Sequence, residues 1–295
     1  MRIVLAGASG LIGSALRHSL TNAGHDVTVL VRRAPSSVDE KQWAPQDGTL
    51  SEETVEHADA IVCLSGAGVA DRRWTEGYKR TLRASRLDTV GTIARTMANA
   101  GYQGVFLAAS AVGYYGDTGD AEIDESAPHG TGFLAELCEE WENACAPAAE
   151  AGARVVNLRT GIVLTRKGGL LKRLAPIVRL GVAGRLGSGQ QFLPWITLAD
   201  EIGAIEYLLG HDVHGPVNLT GPNPARNQEF VAALAHLLHR PAVVPVPGFA
   251  IKMALGELAQ DALGGQRALP VTLTESGFVH QHPQLGSALA WAVEN

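Results

Sequence analysis

The sequence predicts an α/β fold, with a doubly wound parallel sheet and a smaller C-terminal lobe. Three observations predict it. Short apolar runs alternate with helical patterns from the first residues, and a glycine-rich turn follows the first run. After residue 165 the texture changes to glycine-rich, basic and proline-punctuated segments.

The elements follow in order. Arg2 to Ala6 is an apolar strand, Leu11 to Ala23 a helix, Asp26 to Val31 a second strand and Ala60 to Leu64 a third. A long amphipathic helix is expected from about Trp74 to Ala100, then a strand from Gly104 to Ala109. A helix from about Thr131 to Ala151 carries Glu136, Glu139, Glu140 and Glu142 on its wet side, and a strand runs from Ala153 to Leu158. The uninterrupted apolar run Val105-Phe-Leu-Ala-Ala109 implies burial on both faces, as in a parallel sheet. Beyond Thr165, a helix at Leu198 to Leu209, a strand at Pro216 to Leu219 and a helix at Asn227 to Leu238, capped by Asn227, are expected. Pro241, Pro245, Pro247, Pro270 and Pro283 break the tail into short pieces. Residues 1–165 and 196–222 therefore read as a nucleotide-binding domain, and 166–195 and 223–295 as a smaller substrate-binding lobe.

Composition narrows the class. The chain has 295 residues, 46% hydrophobic and 18% charged, the latter below the roughly 25% of an average soluble protein. A net charge of −6, with no basic block longer than a pair, argues against a nucleic-acid partner. Cys63, Cys138 and Cys145 lack CxxC spacing and read as buried free thiols of a reducing compartment. The ten histidines form no metal-ligand constellation, so no metal is expected. No apolar run approaches the roughly 20 residues of a membrane span and no leader is visible, so a cytoplasmic protein without a membrane partner is expected, as monomer or homodimer.

The sharpest motif is Gly7-Ala-Ser9-Gly10-Leu11-Ile12-Gly13, placed directly after a strand and opening a helix. Its glycines let the backbone turn tightly and approach a pyrophosphate, while the helix N-terminus offers free N–H groups and a positive dipole end. The spacing is GxxGxxG, and with its strand and helix it predicts a Rossmann-like dinucleotide site. The second strand ends in Arg32-Arg33, where an NAD-preferring chain offers an acid to the ribose hydroxyls. A guanidinium there pairs with the additional phosphate of NADP, so NADP is the expected cofactor.

These residues resemble an atypical or extended short-chain dehydrogenase/reductase of the NAD(P)-dependent epimerase/dehydratase type, within the "epimerase family" that includes the family-39U proteins and bacterial relatives. The resemblance rests on Gly7 to Gly13, Leu64-Ser-Gly-Ala-Gly68, Arg72-Arg-Trp74, Ser85-Arg86, Ser110-Ala-Val-Gly-Tyr-Tyr-Gly116 and Trp141-Glu142. It continues through Arg159-Thr-Gly-Ile-Val-Leu164, Gly187 to Trp195, Gly265-Gln-Arg267, Pro270 and Gly277-Phe278. It implies that Leu64, Ser65 and Gly66 pass the adenine and ribose side, that Arg86 reaches toward the cofactor, and that Ile162 lies near the nicotinamide. Ala109, at the end of its strand, joins the expected cofactor contacts.

The chain departs from active short-chain dehydrogenase/reductases where catalysis resides. Those enzymes usually use Ser, Tyr and Lys, with a Tyr-x-x-x-Lys pair on the helix after the serine strand. Ser110 follows its strand as that serine would, but the helix reads Phe133-Leu-Ala-Glu-Leu137. Phenylalanine donates no proton and leucine carries no charge. Ser110 and Tyr114 are therefore the candidate catalytic residues. The expected function is an NADP-binding oxidoreductase or epimerase-like enzyme acting on a small polar molecule; the alternative is a catalytically silent NADP(H) sensor. Lys172, Arg173, Arg179, Arg185, Gln190, Gln191, Phe192 and Trp195, with Gln266 and Arg267, are expected to line a substrate pocket.

Overall fold

The computed structural model describes residues 1–242 and 244–295. In chain order its strands are β1 (Arg2–Ala6), β2 (Asp26–Val31), β3 (Glu40–Gln42), β4 (Ala60–Cys63), β5 (Val105–Ala111), β6 (Glu122–Ile123), β7 (Arg154–Thr160), β8 (Ile162–Leu164), β9 (Phe192–Leu193), β10 (Trp195–Thr197), β11 (Gly215–Leu219), β12 (Ala225–Arg226) and β13 (Arg267–Ala268). Its helices are α1 (Leu11–Asn22), α2 (Glu52–Glu56), α3 (Glu76–Asn99), α4 (Phe133–Asn143), α5 (Ala146–Glu150), α6 (Gly169–Arg179), α7 (Leu198–Gly210), α8 (Asn227–Leu237), α9 (Gly248–Leu255), α10 (Leu258–Leu263), α11 (Val271–Glu275) and α12 (Leu285–Glu294).

Seven strands form one sheet in the order β11-β7-β5-β4-β1-β2-β3. Pairing is parallel from β3 through β2, β1 and β4 to β5, with Ile3 opposite both Val27 and Ala60. Sequence order reverses between β1 and β4. In open α/β sheets this switch point opens a crevice at the carboxyl ends of the strands, where ligands bind. The doubly wound sheet expected from the sequence is thus present. β4 is buried along its whole length, as its unbroken apolar run requires.

Contacts divide the chain into two units. The first comprises residues 1–110, 137–158 and 202–217. Its core joins Val4, Ala6, Ile61 and Cys63 of the sheet to Val90, Ile93 and Met97 of α3 and Trp141 of α4. The second comprises residues 111–136, 159–201 and 218–295, and its core gathers Leu171 and Val178 of α6, Trp195, Phe230 and Leu234 of α8, and Leu289 of α12. All three cysteines are buried thiols outside any disulfide, as their apolar settings suggest.

Three local details differ from the expectation, each for a physical reason. The single helix expected from Thr131 to Ala151 breaks into α4 and α5, with Pro147 in the first turn of α5, where its missing N–H costs no intrahelical hydrogen bond. Asn227 does not cap α8. Its Oδ1 accepts from the Leu186 N–H at 2.8 Å, and Arg226 precedes the helix, its N–H donating to Glu229 at 2.9 Å. β3 went unrecognised because Glu40-Lys-Gln42 is too short and too charged to read as a strand.

The start of α7 is locked from both sides. Thr197 Oγ1 accepts from the Asp200 N–H at 3.0 Å, and Asp200 in turn accepts from the N–H groups of Gln281 and His282 at 2.6 and 3.2 Å. The next residue, Glu201, is fully buried; Thr160 Oγ1 donates to its Oε1 at 2.8 Å, while Oε2 has no partner among the described residues. Burial pushes this carboxyl up to about 8. Because the folded value lies above the unfolded one, stability falls as pH rises from the ordinary carboxylate range toward pH 8 and levels off beyond it. Glu201→Gln keeps an acceptor for Thr160 and removes the ionisation. The melting temperature of E201Q relative to the parent is therefore expected to rise from pH 5 to pH 8 in thermal scans; a difference that does not change with pH refutes the assignment.

Candidate cofactor-binding site

At the switch point a cavity of 880 Å³ opens above β1, β2 and β4. It is lined by the turn after β1 (Gly7, Ala8, Ser9 and Gly10), by Arg32 and Arg33 after β2, and by the segment from Leu64 to Ala67 after β4. Eight of the residues read from sequence as cofactor contacts therefore meet here: Gly7, Ser9, Gly10, Arg32, Arg33, Leu64, Ser65 and Gly66. Leu11, Ile12 and Gly13 begin α1 behind the loop and do not line the cavity. Ala109 stays on β5 and Ile162 on β8, where the Ile162 N–H donates to Pro194 at 2.7 Å.

The glycines are there for steric reasons. Gly7 has φ of 84°, and a Cβ there would lie 2.6 Å from the Leu64 carbonyl carbon. At Gly13 a Cβ would lie 2.2 Å from the Gly7 oxygen. The two loops approach backbone to backbone, which only hydrogen side chains allow. The first turn of α1 carries no acidic residue, so its N–H groups and positive dipole end are left for an anion. Ser85 Oγ of α3 accepts from the Ala67 N–H at 3.0 Å and fixes the β4 loop.

The basic residues around the cavity are not equivalent. Arg17 pairs with Asp39 at 2.5 Å. Arg33 is held bidentately by Glu40, at 2.8 and 2.6 Å, and Glu40 also accepts from the Ser36 N–H and hydroxyl at 2.7 and 2.9 Å. The Arg33 guanidinium, helped by Ser36, holds the Glu40 carboxyl down at about 2. Arg32 makes no hydrogen bond or ion pair among the described residues, and its guanidinium remains available at the cavity. Glu40, Trp43 and Gln46 complete the wall beyond what the sequence indicated, since nothing in it revealed the short β3 and the turn that follows.

Arg86 lies buried on α3, donating to the Leu82 carbonyl at 3.1 Å and resting over Trp141 at 4.9 Å. Its guanidinium carbon is 3.2 Å from where a Gly66 Cβ would stand, so Gly66 also makes room for it. Burial lowers its pKa, and no carboxylate pairs with it among the described residues. A buried cation without an acidic partner pays desolvation that an anionic or hydroxyl-bearing ligand at the Gly66 loop would offset. The paired glycine loops, the open helix terminus and the uncommitted Arg32 guanidinium fit a dinucleotide with an additional phosphate; Arg86, also expected at the cofactor, does not line the cavity.

The candidate catalytic residues have distinct settings. Ser110 is buried, and its hydroxyl donates to Glu142 at 2.6 Å. Leu137 is buried too, so the position of the short-chain dehydrogenase/reductase lysine is apolar. In the second unit Tyr114 is half-buried, with Arg159 over its ring at 3.5 Å, and its hydroxyl has no partner among the described residues. The neighbouring Tyr115 hydroxyl is committed: it donates to Asn218 at 2.8 Å, accepts from Arg159 at 2.9 Å, and burial pushes it up to about 12.

The set expected to line a substrate pocket comes together only in part. Trp195 belongs to the core of its unit, donating from Nε1 to the Asn223 carbonyl at 3.1 Å. Phe192 is covered by the guanidinium groups of Arg226 and Arg267, at 4.4 and 5.0 Å. Lys172, Arg173 and Arg179 face solvent, because the opposite face of α6 carries Leu171, Ala175 and Val178 into the core, and Arg185, beyond that helix, is exposed too.

Comparison with known proteins agrees with this geometry. A model of the NAD dependent epimerase/dehydratase family matches residues 3–220. The chain belongs to that family. A second model, a domain of unknown function (DUF1731), matches residues 246–292. An epimerase family protein of Mycobacterium tuberculosis is 44% identical over 292 residues, covering 98% of this chain and 97% of the relative. Human epimerase family protein SDR39U1 (isoform2), crystallised with NADPH, superposes with a TM-score of 0.91 at 32% identity, covering 100% of both chains. A nucleoside-diphosphate sugar epimerase from Corynebacterium glutamicum has a TM-score of 0.81 at 30% identity, covering 99% of this chain and 58% of that one.

The close approach of the loops carries a prediction for the family fold. Gly7→Ala forces a side chain against Leu64 at positive φ and is expected to cost at least about 2 kcal/mol of stability. Denaturant unfolding measures it, and an unchanged midpoint would show that the loops part easily.

Proposed function

We propose that this chain binds NADP(H) in the 880 Å³ cavity and acts as an oxidoreductase or epimerase-like enzyme on a small polar substrate. The observation that carries the reading is Arg32, which faces the cavity without an acidic partner while Arg17 and Arg33 beside it are paired. NADPH in the human relative supports the same cofactor. When bound, the nicotinamide exchanges a hydride with a carbon centre. The protein's part is to orient that carbon and manage the proton on its oxygen.

Ser110 and Tyr114 are the groups proposed for that part. Because the Ser110 hydroxyl gives its hydrogen to Glu142, its oxygen is left as an acceptor, suited to a substrate hydroxyl more than to a carbonyl. Tyr114 keeps a free hydroxyl that can donate to a substrate oxygen. Three buried cysteines, none in a disulfide, fit a cytoplasmic location.

A second reading is an NADP(H) sensor without turnover. It is favoured by one observation: Phe133 and the buried Leu137 replace the proton-relaying pair, while the Ser110 and Tyr115 hydroxyls are already engaged.

Calorimetric titration tests the cofactor assignment. Arg32→Ala is expected to weaken NADPH by about 10- to 100-fold, from loss of charge-assisted hydrogen bonds, and NADH much less. Equal losses for both would sink it. Turnover is tested by following NADPH oxidation against carbonyl and nucleotide-sugar panels. Activity that falls in Ser110→Ala and Tyr114→Phe supports the enzyme, activity that survives both places the acid elsewhere, and tight binding without turnover on any panel favours the sensor.

A further inference from the structure

The basic residues of α6 that line no substrate pocket belong to a face of unusual composition. Residues 166–187 and 240–256 together hold eight lysines and arginines and no aspartate or glutamate, in a chain whose net charge is −6. The two segments lie side by side in the second unit. Arg240 Nε donates to the Arg179 carbonyl at 2.8 Å, the Val244 N–H to Ala183 at 3.2 Å and the Val246 N–H to Arg185 at 2.9 Å.

Large apolar side chains crowd the same surface. Of nine exposed large hydrophobic residues among the described ones, six lie here: Ile177, Leu180, Val182, Val244, Phe249 and Met253. Leu180, Phe249 and Met253 are about as exposed as polar surface residues, at 76, 69 and 73%. Helical spacing organises them. On α6, Arg173, Ile177 and the following Leu180 form one solvent-facing stripe, and Lys172, Pro176 and Arg179 form the next; on α9, Phe249 and Met253 stand one turn apart, with Lys252 adjoining. Arg166, Lys172 and Arg179 also converge on a depression of 180 Å³ beside the end of α12. None of these three, nor Arg240 or Lys252, pairs with an acid among the described residues.

We propose that this face is a peripheral docking surface for an anionic lipid bilayer. Exposed apolar side chains interleaved with exposed cations are what an interfacial surface needs: the apolar groups enter the acyl boundary while the cations stay among the phosphates. The depression accepts a lipid phosphate between its three cations. Charge complementarity selects an anionic surface, and the flanking hydrophobic groups select a bilayer over a soluble anion. No helix among the described residues is long and apolar enough to cross a membrane, and the proposed contact is a peripheral one. This surface is independent of the cofactor reading.

Co-sedimentation of the full chain with vesicles tests the proposal. Retention is expected on vesicles of equimolar phosphatidylcholine and phosphatidylglycerol, absent on phosphatidylcholine alone, and lost between about 0.1 M and about 1 M salt as the Debye length falls from ~10 to ~3 Å. Lys172→Glu with Arg179→Glu should lower partitioning at least about 30-fold, from roughly two lost headgroup attractions. Phe249→Ser with Met253→Ser should lower it at least about tenfold by removing inserted apolar area. Unchanged near-ultraviolet circular dichroism shows that the variants are folded. No retention on the mixed vesicles overturns the proposal. Retention untouched by the Phe249 and Met253 substitutions overturns it as well, because the bilayer would then not be entered.

Discussion

The cavity of the first unit depends on two backbones passing closer than any side chain permits. The turn after β1 meets the end of β4 at Gly7, and α1 meets the same turn at Gly13, where a Cβ would lie 2.2 Å from the Gly7 oxygen. That contact points the start of α1 at the carboxyl edge of the sheet and holds the Leu64 to Ala67 loop beside it. The crevice that the reversed strand order opens is thereby given a floor of N–H groups. Larger side chains at these positions would push the helix off the sheet and close the crevice.

Electrostatics then divides similar residues into different roles. Arg32 and Arg33 are adjacent, yet Arg33 is spent on Glu40 and braces the short β3 against the loop after β2, while Arg32 carries its charge into the cavity unpaired. Arg86 is the buried counterpart: it rests on Trp141, and Gly66 leaves it the room it occupies. A pocket holding both paired and unpaired cations keeps its shape without ligand and still attracts an anion. Pairing every guanidinium would have removed that attraction.

The chemistry is less conventional than the fold. Where active short-chain dehydrogenase/reductases place a tyrosine and a lysine, α4 presents Phe133 and a buried Leu137, and Ser110, near the end of β5, turns its hydroxyl to Glu142. In the second unit Arg159 organises two neighbouring tyrosines differently, stacking on Tyr114 and hydrogen-bonding the hydroxyl of Tyr115. Only one of the two phenols is left able to donate outward. The same unit turns its cations away from its core and exposes them among large apolar side chains, which suits a surface that meets another phase.

Much of this was legible in the residue order, and the remainder for a definite reason was not. The parallel strands, the glycine turn, the basic end of β2 and the missing tyrosine and lysine depend on local pattern and spacing, so the sequence alone determined the sheet, the cofactor class and the gap in the catalytic set. It could not distinguish Arg32 from Arg33, because the difference lies in Glu40, on a three-residue strand with no pattern of its own. Nor could it tell that Trp195 packs in a core while Arg173 and Arg179 face water, or that Ser110 meets a glutamate 32 positions away. Those outcomes are set by which groups tertiary packing brings within hydrogen-bonding or ion-pairing reach, and only the folded chain decides that.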